Sequence, residues 1–243
     1  GKYRILERIK TTHNAIIYKA RDVMLDRLVT IKQMSPSLID DPIACGHFRR
    51  EAQFLARIPR GTSHVIGIHE LIEDDLGLFI VEEYLPGDWL ESLIAKRQID
   101  LSAALRILKT TALGLRTLHS MRIAHRGVHP GNILVARNGK AKITNLSTAA
   151  READNTPPPV IAPKYTAPEL LLGEEYDDRV DIYSLGVILF EMCVGRPALN
   201  RHFADLLAKP AEAKARWIEW HLDPRTALPR DQPDLLAALR TLA

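Results

Sequence analysis

The chain has 243 residues, enough for one large hydrophobic core or two small ones, and its 46% apolar and 26% charged residues are those of a globular protein. Its 33 basic and 30 acidic residues leave a net charge of +3, and the basic residues are scattered, so we read them as solvated surface and expect no nucleic-acid partner. No apolar run reaches the ~18 residues of a membrane span, no signal peptide precedes Tyr3-Arg4-Ile5-Leu6, and Cys45 and Cys193 suggest neither a disulfide nor a metal site. A cytoplasmic protein, or the cytoplasmic domain of a larger one, is the expectation.

In chain order, Ile9-Lys10-Thr11-Thr12-His13-Asn14-Ala15-Ile16-Ile17-Tyr18 reads as a β-hairpin and Val29-Thr30-Ile31-Lys32 as a strand. Phe48 to Leu55 is helix-like and carries Glu51, with Cys45 placed in the linker before it. Leu78-Phe79-Ile80-Val81-Glu82-Glu83 is a further strand, ending at Tyr84-Leu85-Pro86-Gly87. Next come His125-Arg126-Gly127-Val128-His129-Pro130-Gly131-Asn132-Ile133-Leu134, then the tight-turn pair Asn138-Gly139, then Ala141 to Ala149 with Asn145-Leu146. Thr156 to Pro163 is proline-rich and expected to be stiff and extended. Ala167-Pro168-Glu169 precedes Asp181-Ile182-Tyr183-Ser184-Leu185-Gly186, the start of an apolar helix. Past Gly195-Arg196-Pro197, residues 211–221 form a helical run whose Trp217, Ile218 and Trp220 read as core, and residues 235–242 an amphipathic helix.

These stretches, in this order, resemble the landmarks of the protein kinase superfamily, in the style of bacterial serine/threonine (Hanks-type) kinases. The resemblance implies an α+β, two-lobed fold: a small lobe over residues 1–83, an antiparallel sheet plus one helix, and a mainly helical lobe over 84–243. The second lobe is expected to stop short of the family's last helix, which supplies an arginine to the glutamate at 169. The resemblance also implies an ion pair of Lys32 with Glu51 and a residual nucleotide pocket of Lys32, Glu51, Glu83, Leu85, Asn132, Leu134 and Asn145. Leu146 would fill an apolar column with Leu55, Ile68 and His125.

The departures from the family pattern are chemical. Lys10, Thr12 and Ala15 stand where the phosphate-covering hairpin has glycines, so phosphate positioning should suffer, or the hairpin is a plain turn with no role. Gly127 replaces the catalytic aspartate and can neither orient nor deprotonate a hydroxyl. His129 replaces a lysine that contacts the transferring phosphoryl group. Asn145 replaces the metal-binding aspartate, and a neutral amide is a poor ligand for Mg²⁺. Ala162 replaces a threonine. Glu82 falls at the back of the pocket, with Lys32 expected as its partner unless a one-residue bulge exposes it, and Thr30 narrows the site further. Ser147, Thr148 and Thr156 are hydroxyls that could accept phosphate, with Arg126 to receive it.

From these losses the sequence leads us to expect no enzyme but a pseudokinase: no catalytic residue, no bound metal and no required cofactor, acting as a scaffold or allosteric regulator. Its partner would be a protein, such as an active kinase or another domain of the same polypeptide. The alternatives are a nucleotide sensor that binds ATP or ADP weakly and without metal, and an atypical active kinase using Lys32, Glu51, Asn132 and Asn145.

Overall fold

A computed structural model describes residues 1–59, 61–151, 162–196 and 200. Strands β1 (Tyr3–Thr11), β2 (Ala15–Asp22) and β3 (Arg27–Met34) follow one another as antiparallel hairpins. With β4 (Ile68–Asp74) and β5 (Gly77–Glu83) they form a five-stranded sheet in the order β1-β2-β3-β5-β4. Strand alternation sends Ala20, Val29, Ile31 and Val81 to one face, while Met34, Leu78 and Ile80 face helix α1 (Pro42–Arg57) on the other.

Helix α1 begins on Asp41, whose Oδ1 accepts the N–H groups of Ile43 at 2.9 Å and Ala44 at 3.2 Å, with Pro42 in the first helical position. Cys45, Phe48, Ala52 and Leu55 recur at three- and four-residue spacing and form its buried face, together with Glu51. Each large apolar side chain so buried stabilises by about 1.5–3 kcal/mol, so packing rather than helix propensity holds α1 to the sheet. Cys45 therefore lies inside the helix and not in a linker before it. The Asp41 cap starts the helix earlier than the weak helix formers Cys45 and Gly46 suggest.

Beyond the sheet come β6 (Gly87–Trp89), α2 (Leu90–Ala95), α3 (Leu101–Ser120), β7 (Ile123–Ala124), β8 (Ile133–Ala136), β9 (Ala141–Ile143), β10 (Ala150–Arg151), α4 (Pro168–Leu172) and α5 (Arg179–Val194). The sequence expectation of an α+β organisation, a small sheet with one helix and then a mainly helical part, is met. Leu90, Ile107, Leu115, Ile133, Ile143 and Ile188 centre the second core. Backbone bonds join the two parts: Ile66 N–H donates to Ile143 O and Ile143 N–H to His64 O, both at 2.9 Å. Helix α3 can approach this junction because residue 114 is glycine; a Cβ there would stand 2.6 Å from His64 O. Leu55 and Leu146 share one apolar cluster with Ile68 packed against it, and His125 is fully buried with Nε2 3.2 Å from Thr144 O. Residues 156–161 of the proline-rich stretch and the runs at 211–221 and 235–242 lie outside the described residues. Among the described residues no helix is long and apolar enough to cross a membrane.

Candidate functional site

Strand β3 carries Lys32 on the face that α1 covers, and α1 turns Glu51 toward it. Lys32 Nζ donates to both Glu51 oxygens at 2.7 Å, and the side chains are 9% and 0% exposed. The same ammonium donates to Asn145 Oδ1 at 2.8 Å. Asn145 Nδ2 donates to Asn132 Oδ1 at 3.0 Å, and Asn132 Nδ2 to Gly127 O at 2.9 Å. One hydrogen-bonded track thus runs from α1 through Lys32 to the loop at 125–132. Asn145 has φ +60°, a conformation that asparagine tolerates better than most residues.

This donor set does not suit a magnesium ion. The one carboxylate of the track, Glu51, has both oxygens on Lys32, Asn145 Oδ1 already accepts from an ammonium, and Asn132 Oδ1 already accepts from an amide, whereas Mg²⁺ depends on anionic oxygens beside the phosphates.

Glu82 differs from its expected role. It is buried, so it is not turned outward, and the register irregularity nearby falls between Ile68 and Glu70 on β4 instead. It does not pair with Lys32, whose donors go to Glu51 and Asn145, and Glu82 Oε1 has no hydrogen-bond partner. Burial pushes its pKa up to about 8; the attraction of Lys32 opposes this and the charges of Glu51 and Glu83 add to it. Glu82 is therefore mostly neutral at pH 7. Of the other expected pocket residues, Glu83 accepts from Gly67 N–H at 2.7 Å and Lys142 Nζ at 2.5 Å. Leu85 packs against the core under α1, and Leu134 pairs with Trp89 and Lys142 across the small sheet β6-β8-β9.

The loop at 125–132 is held from below by Asp181 of α5. Its fully buried carboxylate accepts His125 N–H at 2.7 Å and Arg126 N–H at 2.8 Å and lies 2.9 Å from His119 Nε2. Arg126 is not held out for a phosphate: Nε donates to Thr148 O and Nη1 to Tyr176 OH, each at 2.8 Å. Thr148 is buried and donates to His125 O at 2.9 Å, and it fills the space beside Gly127. A Cβ at residue 127 would meet Thr148 Oγ1 at 2.4 Å. His129 is half-buried, accepts Gly131 N–H at 3.1 Å, and has its pKa lowered to about 4 by desolvation and by nearby His125. Neutral at pH 7, it does not replace the charge of a lysine. The Ala162 carbonyl accepts Thr166 Oγ1 at 3.0 Å and helps close a short turn at Pro163–Tyr165.

The hairpin tip is not idle, which corrects the reading of a turn with no role. Lys10 Nζ crosses to the second part of the molecule, donating to Glu91 Oε1 at 2.8 Å and lying 3.4 Å from Gly131 O and 4.7 Å from the Trp89 ring centroid. Sequence reasoning missed this contact, the anchor at Asp181 and the filling by Thr148. Only the residue type at 10, a lysine in place of a glycine, was a signal.

A buried Lys32–Glu51 pair joined to a His-Arg-x loop is accompanied by agreement over nearly the whole chain: the protein kinase domain model matches residues 3–233. The chain belongs to the protein kinase family. The kinase domain is 31% identical over 226 residues to a probable serine/threonine-protein kinase of Clostridium acetobutylicum, covering 87% of this chain and 34% of that protein. It is 35% identical over 190 residues to the serine/threonine-protein kinase PknA of Corynebacterium glutamicum, covering 74% of this chain and 40% of that protein. Identity to the serine/threonine-protein kinase PrkC of Bacillus subtilis is 32% over 228 residues, covering 89% of this chain and 35% of that protein. The kinase domain thus spans 34–40% of the length of these relatives.

The relatives also correct an expectation. Gly127 and Asn145 had suggested a chain that is not an enzyme, yet these bacterial relatives carry the names of serine/threonine-protein kinases and point to an enzyme. In the structure Asn132, Asn145, Lys32 and Glu51 are bonded to one another.

Proposed function

We propose that this chain is an atypical serine/threonine kinase domain that binds a nucleoside triphosphate between sheet and helices and transfers phosphoryl groups slowly to a hydroxyl. The observation that carries the reading is the closed track Glu51–Lys32–Asn145–Asn132, which keeps a desolvated ammonium inside the cleft. Phosphoryl transfer depends chiefly on positioning and electrostatic stabilisation, and a fixed ammonium supplies both. Glu83 and Leu85 edge the base-binding side, and Leu134 forms its floor.

Lys32, Asn132 and Asn145 would hold and orient the phosphates, with no step assigned to a metal ion. The hydroxyl oxygen bonds to the γ-phosphorus as the bond to the leaving nucleoside diphosphate breaks, and without a carboxylate at 127 the hydroxyl proton passes to water or to a phosphate oxygen; a general base at that place contributes roughly 10²–10⁴-fold, so turnover should lie below that of an aspartate-bearing kinase by about that factor. The test is transfer of labelled phosphate from ATP to serine- and threonine-containing peptides, with and without Mg²⁺ or Mn²⁺, in parent and Lys32→Ala protein. Slow, Lys32-dependent incorporation is expected. Nucleotide binding with no Lys32-dependent incorporation would overturn the kinase assignment.

A further inference from the structure

We propose that Lys10 is a phosphate-binding residue of the nucleotide site, supplying together with Lys32 the positive charge that Asn132 and Asn145 do not draw from a metal ion. The inference rests on the nucleotide-binding part of the reading above and names a residue that carries it.

The placement comes first. Lys10 Nζ lies 3.4 Å from Gly131 O, Gly131 precedes Asn132, and Asn132 is bonded through Asn145 to Lys32. Two lysines from different strands therefore stand at the two ends of one polar line, Lys10, Gly131, Asn132, Asn145, Lys32, whose intermediate residues carry no carboxylate. A di- or triphosphate laid along that line meets an ammonium at each end.

The two lysines differ in what holds them. Lys32 is fixed by a buried carboxylate, and its neighbour Glu51 is 0% exposed. Lys10 and its partner Glu91 have side chains 23% and 38% exposed, and a pair so open to solvent is only weakly stabilising. A phosphate oxygen, which carries more charge and accepts several hydrogen bonds, can replace that carboxylate at small cost. The flexible four-carbon stem and three donors of lysine suit such an exchange. The Trp89 ring at 4.7 Å attracts the cation through its face without using an N–H. Of the other titratable groups near Glu91, His129 is half-buried and neutral at pH 7, Tyr165 donates to Glu191 at 2.6 Å, and the Arg196 guanidinium is bound to Glu191 at 2.8 Å.

The experiment measures ADP and tripolyphosphate binding in EDTA, by calorimetry, for the parent, Lys10→Ala, Lys10→Gln and Glu91→Gln proteins, with unliganded melting curves as a check of folding. Lys10→Ala and Lys10→Gln should weaken ADP about tenfold, and Glu91→Gln should tighten it, because Lys10 is released from its competitor. If Lys10 only clasps the two parts together, both substitutions break the same pair and shift affinity in one direction, which would overturn the proposal. Unchanged affinity in the Lys10 variants, or no ADP binding by the parent in EDTA, would overturn it as well. If the parent then still binds ATP in the presence of Mg²⁺, the nucleotide-binding reading stands without the role for Lys10. If it binds under neither condition, both fall.

Discussion

Replacing Glu82 by methionine should make the domain more stable at neutral pH, and the gain should depend on pH in a defined way. An unfolded glutamate titrates near 4.5, whereas burial moves Glu82 to about 8. Between those values the folded state holds a proton that the unfolded state has released, so stability is fully present below about 4.5, declines as pH rises, and reaches its floor near 8. At pH 7 the gap is about 2.5 pH units, and at 1.36 kcal/mol per unit the folded state is disfavoured by about 3 kcal/mol relative to a non-titrating side chain. At pH 5 the same reckoning gives less than about 1 kcal/mol. Urea denaturation of parent, Glu82→Met and the near-isosteric Glu82→Gln at pH 5 and pH 7 isolates this group, since every other titration is common to the three proteins. The variants should gain stability relative to the parent by about 2–3 kcal/mol more at pH 7 than at pH 5. Stability curves that run parallel over this interval would refute the argument and mean that Glu82 is solvated or paired.

Lys32→Ala should cost about 3–5 kcal/mol, because it leaves Glu51 buried without its cation; a variant whose urea midpoint matches that of the parent would show that the pair contributes nothing. Gly127→Asp alone should lower the melting temperature and fail to raise phosphoryl transfer, since its Cβ would lie 2.4 Å from Thr148 Oγ1. Adding Thr148→Ala should recover most of the lost stability by removing that oxygen, and a double variant no more stable than the single one would place the strain elsewhere.

What the sequence made legible is what chain-local chemistry encodes. Lys32 and Glu51 were readable because the stretches that carry them resemble kinase landmarks, and the resemblance implies their ion pair. Asn132 and Asn145 were readable by position within their loops. Glu82 was readable as buried but not as an orphan, because two carboxylates compete for one lysine and only geometry decides between them. The Lys10–Glu91 contact joins residues 81 apart, and no periodicity reports such a meeting. The filling of the space beside Gly127 by Thr148 was equally hidden, since it depends on how two loops pack. The expectation that the chain is not an enzyme is overturned by the relatives, which carry the names of serine/threonine-protein kinases, because it weighed a few altered positions against a family likeness over nearly the whole chain.

Asp181 grips the loop at 125–132 by its backbone, through the N–H groups of His125 and Arg126. The course of that loop is therefore set from below by a carboxylate outside it, while Thr148 limits from the other side what residue 127 can carry. A larger residue at 127 would have to be matched by a change at 148, so the two positions should vary together. In hydrogen exchange the same grip would show as two amides in an irregular segment that open no more readily than the helix beneath them.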